Sequence, residues 1–256
     1  MQGSDSIFST LLLIARPAAG KSEIIAFLNK ISHQTREESF HMGKIVEIDD
    51  FPMLWTWFEE DHLLEQMGKP RLHTDEEGYF KETYLWDLLV ERISLEYQKL
   101  LREQPDLHED TTAIIEFSRG EEHGGFRRAF RHLSPEILED LAVIYIDVSW
   151  EESLRKNRKR FNPDRPGSIL EHSLPEEKMR RLYRKNDWDK IEKSEGKFLN
   201  IQGHQIPFAV FDNENDYTSK DERILSSELE KVIRKLWAIV QSNKRENKPA
   251  SLDGAG

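Results

Sequence analysis

One short segment near the N-terminus constrains the fold of this chain more than any other. Residues 15–22 read ARPAAGKS, and they lie between an apolar run at residues 10–14 and a helical pattern at residues 23–28. A short, continuous apolar run is typical of a strand that is buried on both faces of a parallel sheet. The segment is therefore predicted to join the first strand of an α/β fold to its first helix.

The same segment matches most of the phosphate-binding signature G-x-x-x-x-G-K-[ST]. In that signature, backbone N–H groups surround a phosphate, the lysine contacts the β- and γ-phosphates, and the hydroxyl binds magnesium. Gly20, Lys21 and Ser22 fit the pattern, whereas Ala15 replaces its first glycine. An ordinary strand-to-helix turn is the alternative, and the flanking strand and helix argue against it. The residues expected to contact a nucleoside triphosphate, with Ser22 also on the metal, are Ala15, Arg16, Pro17, Ala18, Ala19, Gly20, Lys21 and Ser22.

Short apolar runs alternate with helical patterns along the rest of the chain. The runs are residues 9–15, 44–48, 112–117, 142–148 and 207–211. The helical segments are residues 21–31, 53–67, 81–102, 126–141, 151–160, 175–185 and 221–241. This alternation predicts a doubly wound, parallel, five-stranded α/β sheet. Two apolar stretches within residues 197–211 also indicate a hairpin whose second half is the fifth strand.

Composition limits the function classes that are open to the chain. The net charge of -11 argues against general nucleic-acid binding, which needs a positive surface. The absence of cysteine excludes disulfides and cysteine-ligated metals. No apolar run is long enough to span a bilayer, and no signal peptide is recognisable. We therefore expect a cytoplasmic protein without membrane contacts, with one domain over residues 1–242 and a flexible tail over residues 243–256.

Acidic residues follow two of the predicted strands. Asp49 and Asp50 come at the end of the second strand, and Glu116 lies near the end of the third, with Arg119 just beyond it. Ligands of open α/β sheets bind at the carboxyl ends of the strands, so these side chains are candidates for acid–base or metal-binding roles. The alternatives are a helix cap for one aspartate and a Glu116–Arg119 ion pair that closes a loop. The metal candidates are Ser22, Asp49 and Glu116.

A basic segment follows the fourth predicted strand. Residues 155–185 contain eleven Lys or Arg residues and only four Asp or Glu residues, in a chain of net charge -11. The centre of this segment has the composition of a loop between two helices. We expect residues 151–190 to form a lid over bound polyphosphate, with Arg155 and Arg158 toward the phosphates. The alternative is a solvated basic face.

Three further segments resemble P-loop kinases of the nucleoside and nucleotide kinase superfamily. Residues 49–51 (DDF) resemble the acid-plus-aromatic element of uridine-kinase-like and phosphoribulokinase-like members. Residues 144–149 (IYIDVS), with the helix that follows, resemble the fourth strand and lid helix of thymidylate-kinase-like members. Residues 211–213 (FDN) resemble the final strand and the loop beside the nucleotide base, which implies that Asn213 lies near the base.

The resemblance implies a sheet ordered 2-3-1-4-5, ATP and magnesium as cofactors, and an acceptor between strand two, strand three and the lid. It also makes residues 51–105 an insertion on the acceptor side. The aromatic residues of that insertion have helical spacing, which is more typical of core packing than of a platform for base stacking.

The pattern as a whole predicts an ATP-dependent kinase for a small-molecule acceptor such as a nucleoside, a nucleotide or a sugar. One of the two aspartates would serve as base or acceptor contact, the glutamate would assist the metal or the acceptor, and the arginines would stabilise phosphate charge. Two alternatives are a regulatory NTPase switch and a protein that binds a nucleotide without catalysis. The predicted catalytic residues are Lys21, Asp49, Asp50, Glu116, Arg119 and Arg158.

Overall fold

The apolar runs lie side by side as strands of one sheet. The computed structural model describes residues 6–160 and 174–246. In this part of the chain the sheet has six strands, in the order β2-β3-β1-β4-β6-β5, and all neighbouring pairs are parallel except β5 and β6. The strands are β1 (Thr10–Ala15), β2 (Lys44–Asp49), β3 (Thr111–Phe117), β4 (Leu141–Asp147), β5 (Phe198–Ile201) and β6 (His204–Asp212).

The sheet contains one strand more than the five predicted. β6 covers the fifth predicted strand and pairs with β4, so the five parallel strands have the expected order. β5 is the additional strand, and it forms the expected hairpin with β6 through Gln202 and Gly203, whose φ angles are 51° and 87°. Two positive φ angles are typical of a tight hairpin turn. β5 has only four residues. A pattern this short does not distinguish β5 from the longer apolar run of β6 that follows it.

Ten α-helices accompany the sheet within the described residues. The sequence pattern does not predict α2 or α9. Most of α2 is polar, and it begins after Ser32, whose Oγ accepts the N–H of Thr35. None of the helices in the described part combines the length and the apolar character that crossing a bilayer requires. The helices are α1 (Lys21–Lys30), α2 (His33–Phe40), α3 (Phe51–Gln66), α4 (Tyr84–Glu103), α5 (Gly125–Ala129), α6 (Pro135–Glu139), α7 (Trp150–Arg160), α8 (Glu176–Tyr183), α9 (Trp188–Glu195) and α10 (Glu222–Glu246).

The last helix is longer than the sequence predicts. α10 continues to Glu246, whereas the sequence analysis begins the tail at residue 243. The rest of that tail, residues 247–256, lies outside the described residues, as do residues 161–173 of the expected lid.

The central strands β1, β3 and β4 are buried on both faces, which explains their continuous apolar sequences. Leu12 and Ile14 of β1 belong to the core that includes residues of α4, α5, α6 and α9. Leu11 and Leu13 belong to the opposite core, which includes residues of α1, α2 and α10. Burial of each such side chain stabilises the fold by about 1.5–3 kcal/mol. The two cores hold the carboxyl ends of the parallel strands at one edge of the molecule.

Residues 51–105 form the helices α3 and α4 with a loop between them. Trp57, Leu85 and Leu89 make a third apolar cluster, and Phe80 and Trp86 pack against it. Aromatic contacts link these rings, with centroid distances of 5.7 Å between Trp57 and Phe80 and 4.8 Å between Phe80 and Trp86. These aromatic residues of the predicted insertion therefore pack as a core.

A single buried carboxylate organises the loop between α3 and α4. Asp61 is fully buried and accepts hydrogen bonds from the backbone N–H groups of Leu72, His73 and Thr74 and from the Thr74 hydroxyl. Burial raises the pKa of Asp61, but these hydrogen bonds outweigh burial and lower the pKa to about 2. The carboxylate is therefore ionised at neutral pH and holds the loop in place.

Replacing Asp61 by Asn should lower the free energy of unfolding by about 2 kcal/mol at neutral pH, because an amide accepts fewer of these hydrogen bonds. The pKa of Asp61 is lower in the folded chain than in the unfolded chain. Its contribution is therefore complete above about pH 4 and is lost as the pH falls toward 2. Urea unfolding of both proteins between pH 7 and pH 2.5 measures this difference.

The control for this prediction is Asp75→Asn. Asp75 is an exposed carboxylate of the same loop, and it accepts the backbone N–H of Tyr79. Its replacement should cost clearly less than that of Asp61. Equal losses for the two variants at neutral pH would contradict the role given to Asp61.

Candidate active site

The loop before α1 has the geometry of an anion-binding helix start. Gly20 precedes the helix with a φ of 119°, and no side chain caps the first turn. A Cβ at this position would lie 2.8 Å from Asn213 Nδ2 and 2.8 Å from Thr218, so only glycine fits. The N–H groups at the start of an uncapped helix, together with the helix dipole, favour an anion. Lys21 and Ser22 thus lie in the first turn of a helix whose start no side chain caps.

Side chains from α7 and from the loop after β6 brace this segment through its carbonyl groups. Ser153 Oγ donates to the Pro17 carbonyl at 2.8 Å, and Asn213 Nδ2 donates to the Ala19 carbonyl at 2.7 Å. Lys156 is almost completely buried, and its Nζ lies 3.1 Å from Thr218 Oγ1. The structure therefore places Asn213 against the backbone of the loop and ties it to the loop conformation.

Two carboxylates stand opposite each other at the ends of β2 and β3. Asp49 and Glu116 are register partners on these neighbouring strands. Asp49 Oδ1 accepts the N–H of Phe51, the first residue of α3, at 3.0 Å. Asp50, which directly precedes α3, makes no side-chain bond to the helix start, so neither aspartate is the helix cap considered in the sequence analysis. Glu116 Oε2 is buried and has no hydrogen-bond partner among the described residues.

The pKa values of Asp49 and Glu116 are both raised. Burial and then the charges of Asp50 and Glu116 raise the pKa of Asp49 to about 8. Burial also raises the pKa of Glu116, while the charge of Lys21 opposes this change. Both carboxylates would be stabilised by a further cation at this edge of the sheet.

Lys21 lies between the helix start and the acids. Its Nζ donates to Ser118 Oγ at 2.8 Å, and its charge lowers the pKa of both Asp49 and Glu116. Ser118 directly follows β3, and the sequence analysis did not select it. The sequence could have indicated Ser118, because this residue directly follows a central parallel strand and ligands bind at that end of such strands.

Asp50 and Arg119 form a buried ion pair at this edge. Arg119 Nη1 lies 2.6 Å from Asp50 Oδ2, and the guanidinium also donates to the carbonyls of Ser118 and Trp86. The rings of Trp86 and Phe117 lie 5.4 and 5.1 Å from the guanidinium carbon. Arg119 is thus paired with Asp50, and not with Glu116 as the alternative considered from the sequence would have it.

The arginines of α7 are all ion-paired in this structure. The Arg158 side chain is 62% exposed, so its pair contributes little to stability. Arg160 reaches the first turn of α1. The remaining part of the expected lid between α7 and α8 lies outside the described residues. The ion pairs are Arg155 with Glu152 and Asp216, Arg158 with Glu176, and Arg160 with Glu23.

A buried histidine that the sequence analysis did not select lies beside Arg119. His123 stacks on Trp86 with a centroid distance of 3.8 Å. Its Nδ1 accepts the N–H of Gly120 at 3.2 Å, whereas its Nε2 is buried without a hydrogen-bond partner among the described residues. Burial and the charge of Arg119 lower the pKa of His123 to about 2, so the ring is neutral and carries its proton on Nε2.

The site does not contain a ready-made cage for a metal ion. Within residues 6–160 and 174–246, no three His, Asp or Glu side chains are arranged to hold an ion by themselves. An ion at this edge would therefore need oxygen ligands from a bound molecule or from water as well as from the chain.

Comparisons with known proteins show only remote likenesses. No family model matches this sequence, and no curated protein matches it. The chain is similar to an unliganded sugar kinase from Janibacter sp. HTCC2649, with 13% identity and a TM-score of 0.41 over 91% of this chain and 98% of that chain. It is also similar to the protein APE1195, with 15% identity and a TM-score of 0.38 over 91% and 99% of the two chains. Likenesses this remote do not decide what the chain does.

Acid should destabilise the wild-type chain more than the His123→Phe variant. Below about pH 6.5 the unfolded chain binds a proton at His123, whereas the folded chain does not until about pH 2. The resulting loss of stability is absent above pH 7 and reaches about 2 kcal/mol at pH 5. Urea unfolding of both proteins at pH 7.5 and pH 5 measures it. His204→Phe, at an exposed histidine, is the control. Equal pH dependence in wild type and His123→Phe would refute the burial of a neutral ring.

Proposed function

We propose that this chain is a magnesium-dependent ATP phosphotransferase that acts on a hydroxyl group of a small molecule. One observation carries the proposal: Lys21, at the start of α1, donates to Ser118 at the end of β3 and lies beside the carboxylates of Asp49 and Glu116. A helix start that favours anions and a pair of partly buried carboxylates thus share one edge of the sheet. Phosphoryl transfer to a hydroxyl needs both groups.

The donor phosphates are assigned to the loop of residues 15–22. Its carbonyls at Pro17 and Ala19 are already occupied by Ser153 and Asn213, which supports a loop conformation that leaves the helix start open for phosphate. On binding, Lys21 would exchange its neutral partner Ser118 for a phosphate oxygen. The new hydrogen bond joins two charged groups and is therefore the stronger one.

The residues at this edge also fit a magnesium ion. Glu116 Oε2 is buried without a partner among the described residues, and the chemistry of a buried carboxylate favours a cation. Ser22 lies in the first turn of α1. Magnesium is commonly held by one or two carboxylates, water and phosphate oxygens, so Ser22 and Glu116 are the proposed ligands, with Asp49 within reach through water. Bound there, the ion would neutralise charge on the transferred phosphate.

Asp49 is assigned to the acceptor, and Asp50 is assigned a positioning role. Asp50 is bonded to Arg119, whereas Asp49 faces Glu116 across the strand pair. In the transfer step, the acceptor oxygen forms a bond to the γ-phosphorus while the bond from that phosphorus to the bridging oxygen of ATP breaks. The acceptor proton passes to Asp49 in its ionised form. The raised pKa of Asp49 means that its carboxyl group must first release its own proton to solvent at neutral pH, and a magnesium ion bound nearby would favour that release.

The lid is assigned to residues 151–190, of which residues 161–173 lie outside the described part of the chain. Arg158 is bonded to Glu176 in this structure, so it must leave that partner to contact a phosphate. Arg160 already reaches the first turn of α1 through Glu23. These positions support closure of the basic segment toward the loop, and residues 1–242 would then act as one catalytic unit.

Incubation with γ-labelled ATP, magnesium and a pool of small metabolites should transfer label to an organic acceptor. Lys21→Ala should reduce this transfer about 100-fold or more, because it removes a charged contact to the transferred phosphate. The matched control is Lys30→Ala, since Lys30 lies at the other end of α1 in an exposed pair with Glu222. Label that appears only as free phosphate, in amounts set by a partner protein, would favour a regulatory NTPase instead.

The two neighbouring aspartates should respond differently to replacement by Asn. Asp49→Asn should abolish transfer while the chain remains folded, because it removes one of several crowded carboxylates. Asp50→Asn should lower the free energy of unfolding by about 3–5 kcal/mol, because it leaves the buried Arg119 without its partner. Chemical unfolding and the labelled transfer assay on both variants test the distinction. A fully active Asp49→Asn variant would contradict the assignment of Asp49.

A further inference from the structure

We infer that the chain has a second ligand site, for a small aliphatic amine, at the end of the sheet opposite to the candidate active site. The inference goes beyond the proposed function and does not depend on it, because other residues form this site. It comes from a cavity at the amino ends of β1, β4 and β6, from the charges on the cavity wall, and from a buried polar group without a partner.

A cavity of about 420 Å³ opens at the amino ends of these strands. Ser9 lies on its wall just before β1, and the first residues of β4 and β6, Leu141 and His204, lie there too. Trp237 and Lys244 of α10 also line it. Typical small-molecule sites have volumes of about 300–1,000 Å³, so a compound of this kind fits. The candidate active site lies at the carboxyl ends of the same strands, so the two sites are separate.

A buried hydroxyl group on the wall has no partner. Ser9 is only 4% exposed, and its Oγ makes no hydrogen bond among the described residues. The side chain of the next residue, Thr10, bonds to Tyr97 of α4, whereas Leu11 packs in the core that includes α10. Because side chains alternate between the faces of a sheet, Ser9 lies on the α10 face, where the cavity is. A ligand that bonds to this hydroxyl offsets the cost of burying it unpaired.

The wall of the cavity carries more negative than positive charge. Glu139 and Asp140 both lie on it, and the exposed Glu139 carboxylate has no bond or ion pair to any described residue. Lys244 Nζ lies 3.5 Å from Asp140 Oδ1, while the exposed Arg245 is not part of the wall. The last turn of α10 also borders the cavity, and the dipole of a helix places partial negative charge at this end. A positively charged group in the cavity would therefore be stabilised.

The rest of the wall suits the carbon chain of an amine. Trp237 stacks on His41 with a centroid distance of 4.6 Å, and Phe8 contacts the Trp237 ring edge-on at 4.8 Å. These contacts hold the ring in place, and the face of an indole ring attracts an ammonium group. Pro207 and Val240 add aliphatic surface. Carboxylates, a hydroxyl, an aromatic ring and aliphatic groups together favour an aliphatic amine over a phosphate or a carboxylate compound.

The inference is tested by calorimetric titration of the full chain with three compounds of equal carbon-chain length. They are 1,4-diaminobutane, the neutral 1,4-butanediol and the anionic succinate. The diamine should bind at least about tenfold more tightly than either of the others. No detectable binding of the diamine, or equal binding of the diol, would overturn the inference. The titration contains neither ATP nor magnesium, so failure of the phosphotransfer assay would leave its result standing.

Glu139→Gln should weaken binding of the diamine about tenfold, because it removes a charged partner of the ammonium group. The variant should fold normally, since Glu139 is exposed. The matched control is Glu136→Gln, which removes the same charge from the same helix, α6. Glu136 bonds to Gln98 and does not lie on the cavity wall, so its replacement should change binding less than about twofold. Equal losses in the two variants would indicate attraction by overall charge and would refute the site.

Ser9→Ala gives two readouts that a merely structural role would not separate. The variant removes a buried hydroxyl that has no partner in the described part of the chain. Without ligand it should therefore be at least as stable as the wild type in urea. Its affinity for the diamine should nevertheless fall about threefold or more, because the ligand loses a hydrogen bond. Unchanged affinity in Ser9→Ala would contradict the part given to this hydroxyl.

Discussion

The buried ion pair between Asp50 and Arg119 sets the distribution of charge at the functional edge of the sheet. It joins the end of β2 to the segment after β3, and aromatic rings enclose the guanidinium. A buried pair of this kind adds little net stability, because the loss of hydration offsets the attraction between the charges. Its main effect is on the neighbouring acids. Because Arg119 is paired with Asp50, its charge does not offset the closeness of Asp49 and Glu116, and the pKa of Asp49 is raised.

Much of the fold and the local structure around residues 15–22 could be predicted from the sequence, because both follow from short-range patterns. The apolar run before residue 15 and the helical run after Lys21 define the strand, the loop and the helix in one stretch of chain. The meeting of Asp49 and Glu116 follows from the rule that parallel strands end at one edge. The order of the five parallel strands came from the resemblance to a known superfamily.

The missed features depend on contacts between distant parts of the chain. Arg119 lies 69 positions beyond Asp50 in the chain. Its ion pair with Asp50 decides that Asp49 is the aspartate outside the pair. His123 stands in a polar, glycine-rich stretch, and the rings of Trp86 and Tyr183, which are distant in sequence, pack against it. The edge strand β5 is stabilised by its pairing with β6, and α2 by its cap at Ser32, and neither has a clear apolar period of its own.

Contacts made by α7 couple the position of this helix to the conformation of residues 15–22 and the start of α1. Ser153 holds the Pro17 carbonyl, and Arg160 of the same helix holds Glu23 in the first turn of α1. A swing of the whole of α7 would break both contacts. Any ligand that favours one conformation of the loop must therefore also favour one position of α7, and, by reciprocity, a ligand that holds the helix changes the affinity of the loop by the same factor.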